Sequence, residues 1–330
     1  MATMTRKQRV GAALQGREVD RPPISLWRHF FSQETSPRGL ATAMLRFERR
    51  YGWDFMKVNP RASYHGEDWG LRTQYSGDSA PKVVDWPIKG PRDWEKIKPL
   101  DPRHGVLGEQ LEALRLIGEG LRGQVPYLMT VFTPLSVAGR ICGSPEAMLP
   151  YLRDEPPALR PAIEAITVTF IAFVKECLSL GASGLFFATT DWGTYDKLTD
   201  AEYAKFGRPY DLRVLQAASA AEFNMLHVCK SRNMLRTLAD YPVHAFNWDA
   251  SDPSNPTLAQ GKAITKKVVI GGLDQKTTLP KRRPEDVAAQ VRQARQQTGG
   301  VGWMAGPGCT YPPETPEANV AAAREAMRQG

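Results

Sequence analysis

Residues 223–249 read FNMLHVCKSRNMLRTLADYPVHAFNWD. Two nearly unbroken apolar runs, FNMLHVC (223–229) and VHAFNWD (243–249), enclose a helical pattern from Asn233 to Ala239. Strands buried on both faces lose the alternation of a half-exposed strand, and a helix between two of them is the crossover that parallel pairing requires. The same unit recurs outward in both directions. Toward the N-terminus stand GLFFAT (184–189), VPYLMTVF (125–132), FMKVN (55–59) and ISLW (24–27); toward the C-terminus stand KVVIGGLD (267–274) and GVGWMAGPGC (300–309). Helical patterns fill the gaps over 7–14, 40–51, 108–120, 145–152, 157–180, 201–218, 284–297 and 316–327, and Pro145, Pro284 and Pro316 read as first-turn prolines, each leading an acidic residue. Eight such units predict an α/β fold, a single (β/α)8 TIM barrel over 1–330 with an N-terminal extension. Residues 60–105 form a long insertion after the second strand, and their glycines, prolines and tryptophans read as a loop-like, elaborated rim rather than a second domain.

The chain has 330 residues, 42% hydrophobic and 24% charged, which excludes a disordered, collagenous or disulfide-scaffold protein. Its longest nearly uncharged apolar run, Ile166 to Val174, is about half of the ~20 residues that cross a bilayer. The N-terminus meets Glu18 and Asp20 early and lacks the apolar core, roughly 7–15 residues long, of a secretory signal, so a cytoplasmic location without membrane contact is expected. Net charge is +8, from 43 Lys+Arg against 35 Asp+Glu, but it is dispersed. The densest cluster, Lys281-Arg282-Arg283, reads as a solvated helix entrance, no nucleic-acid motif accompanies it, and no nucleic-acid partner is expected. Four cysteines are too sparse for a disulfide framework. Cys142 and Cys177 fall in helical patterns and read as structural.

In a barrel the chemistry belongs at the C-terminal strand ends. His227 and Cys229 are two apart at the end of the fifth strand and therefore point to one side, while Cys309 follows the eighth strand. One histidine and two cysteines make a three-residue zinc set with a fourth position open. An HxC pair also fits a buried strand end whose histidine bonds a carbonyl, and the pattern alone leaves both readings standing. Arg28, His29, Asn59, Arg61, Asp191 and Asp274 lie at other strand ends. A carboxylate there is costly to desolvate, so Asp191 and Asp274 are expected to pair with an arginine, a backbone amide or substrate. Trp192 and Tyr195 line the pocket or pack their loop.

The opening RKQRVGAALQGREVDRPPISLW, the segments LHVCKS, HAFNWD and VVIGGLD, and the late GPGCTYPPETPEAN resemble the uroporphyrinogen decarboxylase superfamily, colinearly from about Arg6 to Asn319. One branch of that superfamily decarboxylates without metal. Another comprises zinc-dependent methyltransferases that work with methyl-corrinoid proteins, and the HxC plus late GC pattern resembles that second branch. The resemblance implies that His227, Cys229 and Cys309 bind Zn2+. It places Asp249 near the metal, as a displaceable fourth ligand or as a base beside it. It also implies a cobalamin or corrinoid methyl carrier, free or on a partner protein, and a small-molecule methyl donor or acceptor, either a zinc-activated thiol or a methyl ether. Relatives self-associate, which implies a homodimer, though no stretch of this chain marks an interface. Lys230 departs from the pattern, which commonly has a small residue after the Cys of HxC. Lys230 and Arg232 would contact an anionic acceptor or begin a solvated helix. An alternative is a metal-free lyase acting on an acidic aromatic or tetrapyrrole substrate, with Arg28 as anion holder and Asp191 or Asp249 as proton partner. A silent barrel that only binds a corrinoid-like ligand is a third.

Overall fold

In the computed structural model, which describes residues 3–328, inward and outward side chains alternate along every strand of one curled sheet. The strands are β1 (Met56–Val58), β2 (Arg72–Ser76), β3 (Ser79–Asp85), β4 (Tyr127–Phe132), β5 (Gly184–Ala188), β6 (Met225–His227), β7 (Ala245–Asn247), β8 (Val268–Leu273) and β9 (Trp303–Pro307). Seven of them pair in parallel in the order β1-β4-β5-β6-β7-β8-β9. Phe55, Phe186, Met225, Ala245, Ile270 and Met304 fill the interior with Trp27, while Val58, Leu185, Phe187, Leu226, Phe246 and Val269 face the surrounding helices.

The eighth position holds ISLW, which does not form the expected strand. Only Ile24 bridges to Ala305, supported by Ala305 N–H to Pro23 O at 2.8 Å and Ser25 N–H to Ala305 O at 3.1 Å. On the other edge Asp54 N–H donates to Ile24 O at 3.0 Å, so the segment still closes the ring. Its brevity has a local cause. Pro22 and Pro23 carry no N–H, and the Ile24 N–H goes to the Asp54 carboxylate at 2.9 Å instead of to a ladder.

Three further expectations change. The pattern from Asn233 to Ala239 is a run of turns with scattered bonds, such as Leu238 N–H to Met234 O at 3.1 Å. It is too short to outweigh helix nucleation, and Asn233 diverts it by accepting from Leu235 N–H through Oδ1. The single helix expected over 201–218 is two, Asp200–Phe206 and Arg208–Ala217, broken at Gly207 before Pro209. The insertion is also less loop-like than its composition. β2 and β3 form an antiparallel hairpin through Gly77-Asp78, with Gly77 at φ 58°, and its tip reaches the barrel mouth. Pro145 and Pro284 do begin their helices, whereas Pro316 caps one. No described helix is long and apolar enough to cross a membrane.

Candidate functional site

β6 delivers His227 to the barrel interior, and Cys229 follows two residues on toward the mouth. β9 delivers Cys309 through Gly308, where a Cβ would stand 2.6 Å from Asp249 Cα and 2.6 Å from Gln275 Oε1. Only glycine lets the backbone pass so close, which is the local reason for GC at this strand end. The ligand atoms of His227, Cys229 and Cys309 lie within 4.8 Å of one another.

Asn247, inward-facing on the neighbouring strand β7, orients the imidazole. Its Nδ2 donates to Ile270 O at 2.9 Å and to Pro307 O at 3.0 Å, and since carbonyls only accept, the amide can face only one way. Its Oδ1 therefore accepts from His227 Nδ1 at 2.6 Å. In the neutral ring the proton then sits on Nδ1, leaving the Nε2 lone pair toward the thiols. Nε2 is buried and has no hydrogen-bond partner. Phe186 stacks on the other side of the imidazole, with centroids 5.1 Å apart.

The two thiols titrate as a pair. The first proton leaves Cys309, favoured by the Cys229 thiol that hydrogen-bonds to it and by His227, and that charge, with burial, holds the Cys229 proton on. A buried imidazole nitrogen without a partner beside two adjacent thiols is a soft, three-donor set that fits a zinc ion with one position open. The hydrogen bond behind the histidine is the support that metal-binding histidines generally have.

Asp249 lies beside this cluster without joining it. Its Oδ2 accepts from Gln275 Nε2 at 2.9 Å and pairs with Lys276 Nζ at 2.9 Å, while Oδ1 accepts from Ser251 N–H at 3.1 Å. Cys229, Lys230, Asp249, Gln275, Lys276 and Cys309 line a cavity of about 440 Å³ that opens at the mouth. Asp191 pairs with Lys230 at 2.7 Å, and against its burial Asp191, Cys229 and Cys309 hold the Lys230 ammonium above its ordinary range. Lys230 has φ 73°, in the left-handed region where a small residue is favoured, and Thr190 and Arg232 share that conformation. Three such residues at two adjacent strand ends, each costing roughly 1–3 kcal/mol, are backbone strain held beside the cluster. Arg232 pairs with Asp196 at 3.2 Å and begins no helix.

Arg28 is elsewhere. Its guanidinium donates to Pro313 O at 2.7 Å and pairs with Asp78 of the hairpin tip at 3.2 Å, lining a separate cavity of about 210 Å³ with Phe47, Tyr51 and Tyr311. Asp274 caps its own loop, accepting from Lys276 N–H at 2.7 Å, and Tyr195 bonds Thr237 on the neighbouring loop. Cys142 and Cys177 are buried in helices away from the cluster.

Sequence reasoning overlooked Asn247, Gln275, Lys276 and Lys57. Lys57 is buried on β1, donates to Asn59 Oδ1 at 3.0 Å, and sits 4.7 Å from the Phe186 ring centroid. Burial pushes its ammonium down to about 7 against the opposing pull of Cys309 and Glu34. Its signal was legible as a lone cation inside the apolar run FMKVN. Asn247 carried none that separates it from any strand-end amide.

Among characterised proteins, the chain is 24% identical to the methylcobamide:CoM methyltransferase MtbA of Methanosarcina acetivorans, over 97% of this chain and 96% of that protein. It is 25% identical to the uroporphyrinogen decarboxylase of Syntrophotalea carbinolica over 72% of this chain and 69% of that protein. The solved structure of a methyltransferase from Methanosarcina mazei superposes with a TM-score of 0.85 at 20% identity, covering 99% of both chains, which shows the shared TIM-barrel fold. The family model for uroporphyrinogen decarboxylase (URO-D) matches residues 5–330, and the chain belongs to that family.

Proposed function

We propose that this chain is a zinc-dependent methyltransferase that moves a methyl group between a corrinoid, as free methylcobalamin or on a partner protein, and a small thiol or methyl ether. The observation that carries this reading is the unpartnered, buried Nε2 of His227 facing the Cys229 and Cys309 thiols, with Asn247 holding the opposite nitrogen. Methyl-transfer relatives along the whole chain support it. His227, Cys229 and Cys309 would hold the metal, and zinc, when bound, supplies a Lewis acid that stabilises the deprotonated thiol or polarises an ether oxygen.

The chain's own residues do the remainder. Asn247 keeps the His227 ring in one tautomer and one orientation. Gln275 and Lys276 hold the Asp249 carboxylate at the wall of the cavity, where it can accept the proton an incoming thiol releases. Asp249 acts in this reading as a base beside the metal, its oxygens being engaged by neighbours. The Lys230–Asp191 pair shapes the rim on which a corrinoid partner would dock. A cytoplasmic location goes with this reading, since a reducing compartment keeps both thiols free to bind metal. In this reading the chain is one functional domain with 60–105 as its rim, and it forms a homodimer that light scattering would detect.

The test is a methyl-transfer assay with methylcobalamin against a panel of thiols and methyl ethers, run alongside metal analysis. Zinc near one per chain and turnover of at least one acceptor are expected. Metal-free protein that decarboxylates an acidic aromatic or tetrapyrrole substrate would replace this reading with the lyase. That lyase would need Arg28 to act with Asp191 or Asp249, and each of these is engaged with a different partner.

A further inference from the structure

The helix Pro37–Tyr51 turns Ala43, Arg46, Phe47 and Arg50 to one side, since residues three, four and seven apart share a helix face. That face meets Arg28 and Phe30, which follow the closing segment, and Tyr311 and Thr315 from the loop behind β9, around the cavity of about 210 Å³. No residue lining the mouth cavity lines this one. Its walls are aromatic, with Phe47 edge-on to Phe30 at 5.6 Å and to Tyr51 at 5.2 Å between ring centroids. Its charge is one-sided. Arg28 is answered by Asp78 and Arg50 by Glu317, while among the described residues no carboxylate pairs with Arg46. Thr315, 6% exposed, lines the same cavity, and its hydroxyl is buried without a hydrogen-bond partner. Such a hydroxyl is destabilising until a ligand atom meets it. Drug-sized ligands fill roughly 300–1,000 Å³, so this volume takes one ring with a short acid group and excludes a corrinoid or a tetrapyrrole. Among the described residues that line it there is no cysteine, no histidine and no carboxylate beyond Glu317, a set suited to holding a molecule rather than transforming it.

We propose that this cavity is a second ligand site, separate from the cysteine cluster, for a single-ring aromatic carboxylate. The ring lies against Phe47 and Tyr51, and the carboxylate bridges the Arg46 and Arg50 guanidinium groups with the Thr315 hydroxyl as a third donor. Glu317 competes with the ligand for Arg50. The site does not depend on the methyl-transfer reading, but it stands behind the same loop. Tyr311 and Thr315 line this cavity, while Cys309, Thr310 and Pro312 line the one at the mouth.

The experiment is calorimetric titration of the full-length protein, with and without added zinc, using benzoate, the neutral benzyl alcohol and inorganic phosphate. Benzoate should saturate one site per chain and bind about 10-fold more tightly than either of the others, the worth of one charge-assisted hydrogen bond. Arg46 is exposed on its helix, so Arg46→Gln should fold normally, keep its zinc and weaken benzoate by about 10-fold. Glu317→Gln, which frees Arg50 from its partner, should act in the opposite direction and tighten benzoate by about 3-fold. Absence of saturable benzoate binding by wild type overturns the proposal, as does phosphate or benzyl alcohol binding equally well, and these comparisons need no variant to fold. Benzoate binding that Arg46→Gln leaves unchanged also overturns it, and its dependence on zinc then tells whether benzoate sits on the metal. Benzoate binding that needs Arg46 and not zinc, in protein that transfers no methyl group, would count against the methyltransferase reading and leave this site intact.

Discussion

The two ends of the barrel both bury charge and treat it in opposite ways. At the N-terminal end, Asp54 accepts from Arg9 at 2.8 Å, from Arg21 at 2.7 and 2.9 Å, and from Ile24 N–H at 2.9 Å. Asp20 accepts from Arg9 twice at 2.6 Å and from the Met4 and Arg21 amides at 3.0 Å. Every carboxylate oxygen there has its donors, and the network pins the first helix and the closing segment 23–25 to β1. At the mouth, His227 Nε2, Asn59 Nδ2 and Gln275 Oε1 are buried with none. Satisfied buried charge holds a fold together; buried atoms without partners occur elsewhere too, such as Arg324 Nη1 and Trp53 Nε1, but His227 Nε2 and Gln275 Oε1 stand beside the cysteine pair, where a ligand can complete the structure. The contrast is sharper than either set alone, because both are built by the same strands.

The largest effect expected from breaking it is at the mouth. Cys309→Ala should take zinc from about one per chain to near none with the circular dichroism spectrum unchanged, since three strand-end ligands lose a third of their set while no core packing is removed. Full zinc occupancy in that variant would move the metal site elsewhere. The matching change at the other end is Asp54→Ala, which leaves the Arg21 guanidinium without a carboxylate and Arg9 with Asp20 alone. Loss of the only carboxylate facing Arg21 among the described residues should cost about 3–5 kcal/mol in denaturant unfolding while zinc per folded chain stays at the wild-type level. A loss of metal there would mean that the two ends are coupled.

Smaller effects sharpen the division. Asp249→Asn keeps the shape and the Gln275 contact but removes the charge. It should retain zinc and reduce methyl transfer by about 10–100-fold, the range for losing a supporting partner of a metal site. If Asp249 instead only caps its loop, thermal stability falls and turnover per folded molecule stays near normal, so both are measured on one preparation. The smallest effect is a pH dependence confined to the N-terminal end. The Arg9 guanidinium, hydrogen-bonded to Asp20, holds that carboxyl at about 2, below its ordinary 3.8. Because the folded value is the lower one, its stabilisation is complete above the ordinary value and is lost as pH falls toward about 2. Asp20→Asn should therefore lower stability by about 2 kcal/mol near pH 6 and flatten the acid limb between pH 4 and 2. An unchanged acid limb would assign that lability to other carboxylates.

The pattern of strands was open to reading from the chain because each run records its own surroundings. Continuous apolarity reports burial on both faces, and a spacing of two reports a shared face, so His227, Cys229 and, at a second strand end, Cys309 could be named without coordinates. The same local logic failed where a partner arrives from far along the chain. ISLW is apolar enough for a strand, but Asp54 takes its N–H. Asn233 to Ala239 has helical spacing, but it spans a gap in which Asn233 and Asn255 supply the bonds a helix would have made. The hairpin at 72–85 hid inside a composition dominated by glycine, proline and tryptophan.

What the amino-acid order determined by itself was the repeat of βα units, the strand ends at which donor side chains emerge, and the residue types available there. Tertiary structure alone decided that Asn247 turns the His227 lone pair toward the cysteines, that Gln275 and Lys276 contact Asp249, that Lys230 bends into the left-handed region beside Asp191, and that Lys57 faces the cluster across Phe186. Periodicity is a property of neighbours in sequence, and it says which way a side chain leaves the backbone. Which group it then meets depends on how strands separated by tens or hundreds of residues close into a ring, and that is set by the packing of the whole barrel.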